Sequence, residues 1–375
     1  MPAYAGMTVF WGLRLSILGI LLTLTACEGK EPLYQEQGYV FGTLVEVSVY
    51  GENEARAKQA VASVMQEFQR LHKLLHAWQP SALSELNTAF AKGESKVVEP
   101  ELAAILQDAA QLSAQFDGLF NPAIGGMVQL WGFHADEFKP ALPDGKLLAT
   151  LVAARPQMSD IVFLPSPPAG ERTVALPPSG GKLEGGRGES ARSNNKAVQL
   201  DLGGYAKGYA LDRAAALLKQ QGVHNALINI GGNVLAMGQH GTRAWRVGIQ
   251  HPRASGPIAT LELQDGEAIG TSGDYQHYFM LGGKRFCHLI DPRTGQPVQG
   301  VQAVTVLTRG ARAGVLSDAT SKPLFVAGSQ GWRDAARRMN IAEALLIDDS
   351  GTVHLTTAMQ KRLEFTDKST SQWVE

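Results

Sequence analysis

The sequence predicts an α+β fold with largely antiparallel strands, and three observations carry that expectation. Helical periodicity concentrates in the first half of the chain, short Val- and Ile-rich runs concentrate in the second, and the two do not alternate as in a doubly wound sheet. The composition is globular: 375 residues, 44% hydrophobic and 18% charged, with 34 basic against 35 acidic residues. That balance argues against a disordered chain and against a basic nucleic-acid-binding surface. Two cysteines, Cys27 and Cys287, are too few for a disulfide framework or a thiolate-rich zinc site.

In chain order, the first element is a leader. Leu15 to Ala26 is apolar or small throughout, follows Trp11 and Arg14, and spans 12 residues, well short of the roughly 20 needed to cross a bilayer. Residues 1–26 read as a secretory signal. Leu24-Thr25-Ala26-Cys27 resembles a bacterial lipobox, which makes Cys27 the lipidated first residue of a membrane lipoprotein. Residues 27–37 are polar and unpatterned, a tether. The body, residues 38–362, holds no apolar run long enough to span a membrane, and residues 363–375 form a tail.

Within the body, the alternation of Tyr39 to Tyr50 predicts a strand. Apolar residues at three- and four-residue intervals from Val61 to Leu75 predict a helix over Glu54 to His76. Pro100 at a first-turn position starts a second helix to Ala114, and a third runs from Lys207 to Gln220, stopped before Gly222. Strands are expected at Ala226 to Ile230, Trp245 to Gln250, Ile258 to Leu263, Lys284 to Ile290, Gln302 to Thr308 and Ala344 to Asp348. Residues 164–196 hold five prolines and six glycines without apolar periodicity, an insertion between two strands or a linker between domains.

The second half carries the glycines that bear on chemistry. Asp201-Leu-Gly-Gly-Tyr-Ala-Lys-Gly208 leads into a helix, where adjacent glycines admit close backbone approach and free amides favour an anion; the alternative is an ordinary turn. It is neither a Rossmann nor a Walker pattern. Asn229 to Asn233, Thr271 to Tyr275, His288 to Gly295 and Ser317 to Lys322 follow. Ser317 opens a short helix, with Asp318 either its N-terminal cap or a hard-cation ligand. His288 is either a structural histidine or a group for proton transfer. Cys287 reads as a buried, inert thiol. His72 and His76, four apart on the long helix, read as packing or exposed histidines rather than half a metal site. Five such turns at element ends suggest one phosphorylated ligand handled with a divalent cation.

Taken in order, DLGGYAKGYALD, NIGGNVLAMG, TSGDYQHYF, HLIDPRTGQPV and SDATSKPLFVAG resemble the ApbE family, the FAD:protein FMN transferases. FGT at Phe41 to Thr43, AWQPSALSELN from Ala77 and FDGLFNPAIGGMVQLWGF from Phe116 add to the likeness, which covers Tyr39 to Ala358. The resemblance implies transfer of FMN from FAD onto a Thr or Ser hydroxyl of a partner protein, with release of AMP. The family's acceptors include subunits of the sodium-translocating quinone reductase and of the RNF complex. A lipoprotein facing the periplasm fits that family, and its acceptors make the inner membrane the expected one.

By family position, Asp318 and the Gly204 carbonyl are magnesium ligands. Phe41, Ala77, Trp78, Asp117, Lys207, Leu289 and Ile290 contact the flavin nucleotide, and His288 is the candidate base. Lys322 stands where the family commonly has a metal-contacting Thr. A protonated lysine cannot ligate magnesium, so either Thr320 or Ser321 supplies the oxygen or Lys322 replaces part of the metal's charge. Two further readings are an FAD-holding lipoprotein without transfer activity and an FAD hydrolase yielding FMN and AMP.

Overall fold

The structure is a computed structural model that describes residues 33–135, 137–164, 189–367, 370 and 372–374. Cys27 and the signal segment lie outside the described residues, as do residues 165–188 of the Pro/Gly-rich stretch. The strands flanking that stretch, Ile161–Leu164 and Glu189–Ser193, pair antiparallel with each other.

The frame is a nine-stranded sheet whose strands follow one another in chain order: Leu33–Val40, Thr43–Tyr50, Ala226–Ile230, Asn233–Met237, Glu267–Gly273, Val301–Arg309, Glu343–Asp348, Val353–Leu355 and Gln372–Val374. Neighbours are antiparallel up to the last pair, which is parallel. The fold is α+β, as the sequence predicts. Both faces of the sheet are covered, so central strands such as Asn233–Met237 and Val301–Arg309 are buried along nearly their whole length rather than on alternate residues. Val304 and Val306 of the Val301–Arg309 strand join the core beneath the helices, while Ala303 and Leu307 point to a second core. That second core lies under the small sheet of Trp245–Gln250, Pro257–Leu263 and Glu364–Phe365.

The helical face carries Glu54–Leu75, Ala206–Gln220 and Ala313–Arg338. Asn53 caps the first, its side chain accepting the Arg56 amide at 3.0 Å, and Val61, Val64, Phe68 and Leu71 form its buried stripe. The other two helices cross backbone to backbone. A Cβ on Gly208 would stand 2.3 Å from the Gly314 carbonyl oxygen, and one on Gly314 would stand 2.4 Å from that of Gly208. Asp212 clamps the crossing by accepting the Gly314 and Val315 amides at 2.8 and 2.9 Å, so one helix caps the next. Burial, opposed by these amides, raises the Asp212 carboxyl to about 6.

Several expectations change. The strand expected over Tyr39 to Tyr50 is two strands joined by a tight turn at Phe41 and Gly42, whose φ angles are 56° and 69°. The first of these begins at Leu33, within the expected tether, because an edge strand needs backbone pairing more than apolar side chains. The Lys284 strand ends at Cys287, short of Ile290. Asp318 does not cap a short helix: it sits inside Ala313–Arg338, which breaks only at Gly328, with φ 70°.

Gly208→Ala is expected to cost about 2–3 kcal/mol in urea unfolding, since the added methyl meets backbone that cannot yield. Gly331→Ala, whose Cβ would meet only the Ala327 Cβ at 3.4 Å, is the control and should be neutral or stabilising by about 0.5–1 kcal/mol.

Candidate active site

The glycine crossing brings the start of Ala206–Gln220 and the middle of Ala313–Arg338 to a cleft of about 730 Å³, a size suited to a sizeable small-molecule ligand. Its walls come from distant stretches of chain: the Phe41–Thr43 turn, the His72 to Gln79 helix end, residues 119–122, Phe133 to Ala135 with Phe138, the Asp201 to Lys207 turn, Thr271 to His277, His288 to Pro292, and Lys322 with Val326. An aromatic cluster supports one wall. There Phe133 stacks on Phe279 at 5.6 Å and Trp131 on Phe286 at 5.6 Å. Trp131 Nε1 donates to the Gly295 carbonyl at 2.7 Å, fixing the turn after His288.

Of the residues singled out in the sequence, Phe41, Ala77, Trp78, Gly204, Lys207, His288, Leu289, Ile290 and Lys322 line this one cleft. Phe41 meets the ring of His72 edge-on at 5.7 Å, and Trp78 lies 5.6 Å from the ring of His134. Asp117 is not brought to the cleft. It takes the left-handed position, φ 51°, that turns the chain after the helix Pro100–Gln115, and its exposed carboxylate faces Arg338 at 3.7 Å. Cys287 is buried, and burial pushes its thiol up to about 12, in keeping with an inert group.

His288 has a defined tautomer. Its Nδ1 lies 3.2 Å from the His277 carbonyl oxygen, which can only accept, so Nδ1 carries the proton and Nε2 keeps its lone pair. Burial, then His277 and Lys207, push the imidazole down to about 3, so it is neutral. Lys207 is tethered to the cleft floor by donation to the Gly203 carbonyl at 3.1 Å.

Asp318 lies fully buried behind the cleft wall. One of its carboxylate oxygens pairs with the Lys322 ammonium and the other accepts the Gly208 amide at 2.9 Å. Burial opposes ionisation of Asp318, but Lys322 and Lys207 outweigh it and hold the carboxyl below its ordinary value. The two neighbouring hydroxyls are also engaged. Ser321 donates to the Asp318 carbonyl and shares a hydrogen bond with Ser272, both at 2.8 Å, and Thr320 donates to the Leu316 carbonyl at 2.6 Å. Among the described residues no group of three or more His, Cys, Asp or Glu converges in a metal-binding arrangement. These donors do not fit a divalent cation at Asp318.

His72, His76 and His277 also line the cleft, although the sequence reading assigned them no part in the site. His76 Nδ1 accepts the Trp78 and Gln79 amides at 3.1 and 3.0 Å and so fixes the loop that presents Trp78. The sequence signals for these three were the four-residue spacing of His72 and His76 and the place of His277 within TSGDYQHYF.

The fold and site define an α+β protein with a nucleotide-sized cleft holding a neutral histidine and two lysines. The chain belongs to the ApbE family, which it matches over residues 41–346. It is 42% identical to a FAD:protein FMN transferase of Rhodobacter capsulatus over 93% of its own length and spans 61% of that relative. A FAD:protein FMN transferase of Klebsiella pneumoniae is 28% identical, with 90% of this chain and 92% of the relative covered. The fold matches the crystal structure of the ApbE protein from Thermotoga maritima with a TM-score of 0.74 at 24% identity, covering 88% of this chain and 99% of that one. It matches the apo flavinyl transferase ApbE of Pseudomonas stutzeri with a TM-score of 0.71 at 24% identity, covering 88% and 97%.

The His288 ring is expected to stay neutral from about pH 8 to about pH 5, read as unshifted ring resonances in NMR. Its folded value of about 3 lies below the ordinary 6.5. Between those values the unfolded chain binds a proton that the folded chain refuses. The stability from this group is therefore complete above about pH 6.5 and falls as the pH drops through that window.

Proposed function

We propose that this protein transfers FMN from FAD to a Thr or Ser hydroxyl of an acceptor protein, releasing AMP. The observation that carries the proposal is a neutral His288 with a free Nε2 lone pair, lining the same cleft as Lys207 and Lys322. The relatives' activity and the family match support the reaction.

The acceptor oxygen attacks the phosphorus of the FMN half of FAD, an O–P bond forms, the bridging P–O bond breaks, and AMP leaves. His288 Nε2 takes the hydroxyl proton. The two ammonium groups face the doubly charged pyrophosphate and stabilise the charge that shifts onto AMP. Substrate binding also counters the positive charges beside His288, raising its basicity when an acceptor is to be deprotonated. Phe41, Trp78, Leu289 and Ile290 give the flavin nucleotide apolar surface. Magnesium dependence, implied by the family likeness, is not part of this proposal, because the carboxylate that would hold the ion is already bonded to Lys322 and Gly208.

The lipobox at Cys27 supports a lipid-anchored protein facing the periplasm, at the inner membrane. The acceptor is a flavin-carrying subunit of a membrane redox complex of the quinone reductase or RNF type.

Incubation with FAD and an acceptor domain should give covalent, fluorescent flavin on the acceptor and one AMP per flavin attached. AMP without covalent flavin would replace transfer by hydrolysis, and retained FAD with neither product would leave a binding protein. His288→Ala should reduce transfer about 100-fold or more, while FAD binding stays within about threefold of wild type; full transfer by this variant would remove the base assignment.

A further inference from the structure

The cation expected at Asp318 is already supplied by the chain. The Lys322 side chain is 15% exposed and that of Asp318 is wholly buried. A lysine ammonium has three protons. One goes to the Asp318 carboxylate and one to the Asp318 carbonyl at 2.8 Å, four residues back on the same helix. The third is left for the cleft, whose wall Lys322 forms beside Gly204 and Lys207. The arrangement is closely fitted: a Cβ on Gly204 would stand 3.1 Å from Lys322 Cε, so the glycine turn is moulded around the lysine stem. Magnesium on the same carboxylate would have to displace the ammonium and sit against its positive charge, with Ser321 and Thr320 already committed elsewhere.

We infer that Lys322 is a built-in counter-cation, which binds the pyrophosphate of FAD in place of a protein-held magnesium ion and lets the protein bind and use FAD without a divalent metal. This rests on the proposed transferase reading for its reaction, but its binding arm does not depend on that reading. The ammonium is held by Asp318 as a metal would be, it donates a hydrogen bond to a phosphate oxygen, and it neutralises charge on that oxygen as the bridging bond breaks. A lysine offers a single charge and no open coordination sphere, so the site trades charge for permanence.

The test measures FAD binding by titration calorimetry and FMN transfer by covalent flavin fluorescence, each in EDTA and in millimolar magnesium. Wild type should bind FAD within twofold under both conditions and transfer at rates that agree within threefold. Lys322→Met should weaken FAD binding more than tenfold under both. Lys322→Thr should gain a magnesium-binding isotherm that wild type lacks and transfer more than tenfold faster with magnesium than in EDTA. Loss of wild-type FAD binding in EDTA by more than tenfold, restored by magnesium, would overturn the inference and leave the transferase reading intact. Metal-independent FAD binding without covalent flavin under any condition would uphold the counter-cation and remove the transferase reading.

Discussion

The contact on which the site depends is the bare backbone crossing of Gly208 and Gly314. Two helices from stretches a hundred residues apart touch without side chains between them, and this brings the Gly208 amide to a carboxylate on the other helix. Asp212 holds the same junction from the opposite direction by capping the second helix with its side chain. Gly270 extends the principle to the sheet, since a Cβ there would stand 2.4 Å from the Ser317 carbonyl oxygen. Sheet, first helix and second helix are thus locked together around Asp318, and everything charged in the cleft is referenced to that point.

Around this point the electrostatics are arranged to stay balanced without solvent. Asp318 is buried and would be costly to ionise alone, yet Lys322 and a backbone amide compensate it fully. Lys207 adds a further positive charge, and His288 is held neutral by burial and by its cationic neighbourhood. The cleft therefore presents ammonium groups and an imidazole lone pair to whatever enters, which is the disposition an anionic phosphate ester and an incoming hydroxyl require. The stacked cluster of Trp131, Phe133, Phe279 and Phe286 backs the side of the cleft where Phe133 is exposed to it.

Much of the fold was legible in the sequence where periodicity was strong. The helices at Glu54–Leu75, Pro100–Gln115 and Ala206–Gln220 announce themselves by buried stripes, and the strands of the second half by short apolar runs. What could not be read was set by tertiary context. The strand at Leu33 is polar because it is an edge; Phe41 and Gly42 interrupt a continuous alternation; and Ser317 to Lys322 looks like a helix start only because the turn before it, Gly314 and its neighbours, is small and unpatterned. For the site, the ordered motifs led to most of the cleft-lining residues, including Lys207, His288 and Lys322. Asp117 stands outside the cleft, at a left-handed turn with φ 51° and beside Arg338, a placement that a motif does not record. His76 read as a packing or exposed histidine because its part, accepting two amides of the Trp78 loop, is visible only in three dimensions.

The dispersal of the cleft walls, from Phe41 to Val326, has a consequence for how the protein is made. No fragment of the chain emerging during synthesis contains a working site, because the first wall is waiting for the helix Ala313–Arg338. Such long-range closure is slow to form, and it makes nucleotide occupancy a report on the integrity of the whole body. A bound dinucleotide would bridge segments that are otherwise joined only through the core, so ligand would act as a late quality mark on a completed fold, raising resistance to proteolysis across regions that it never touches.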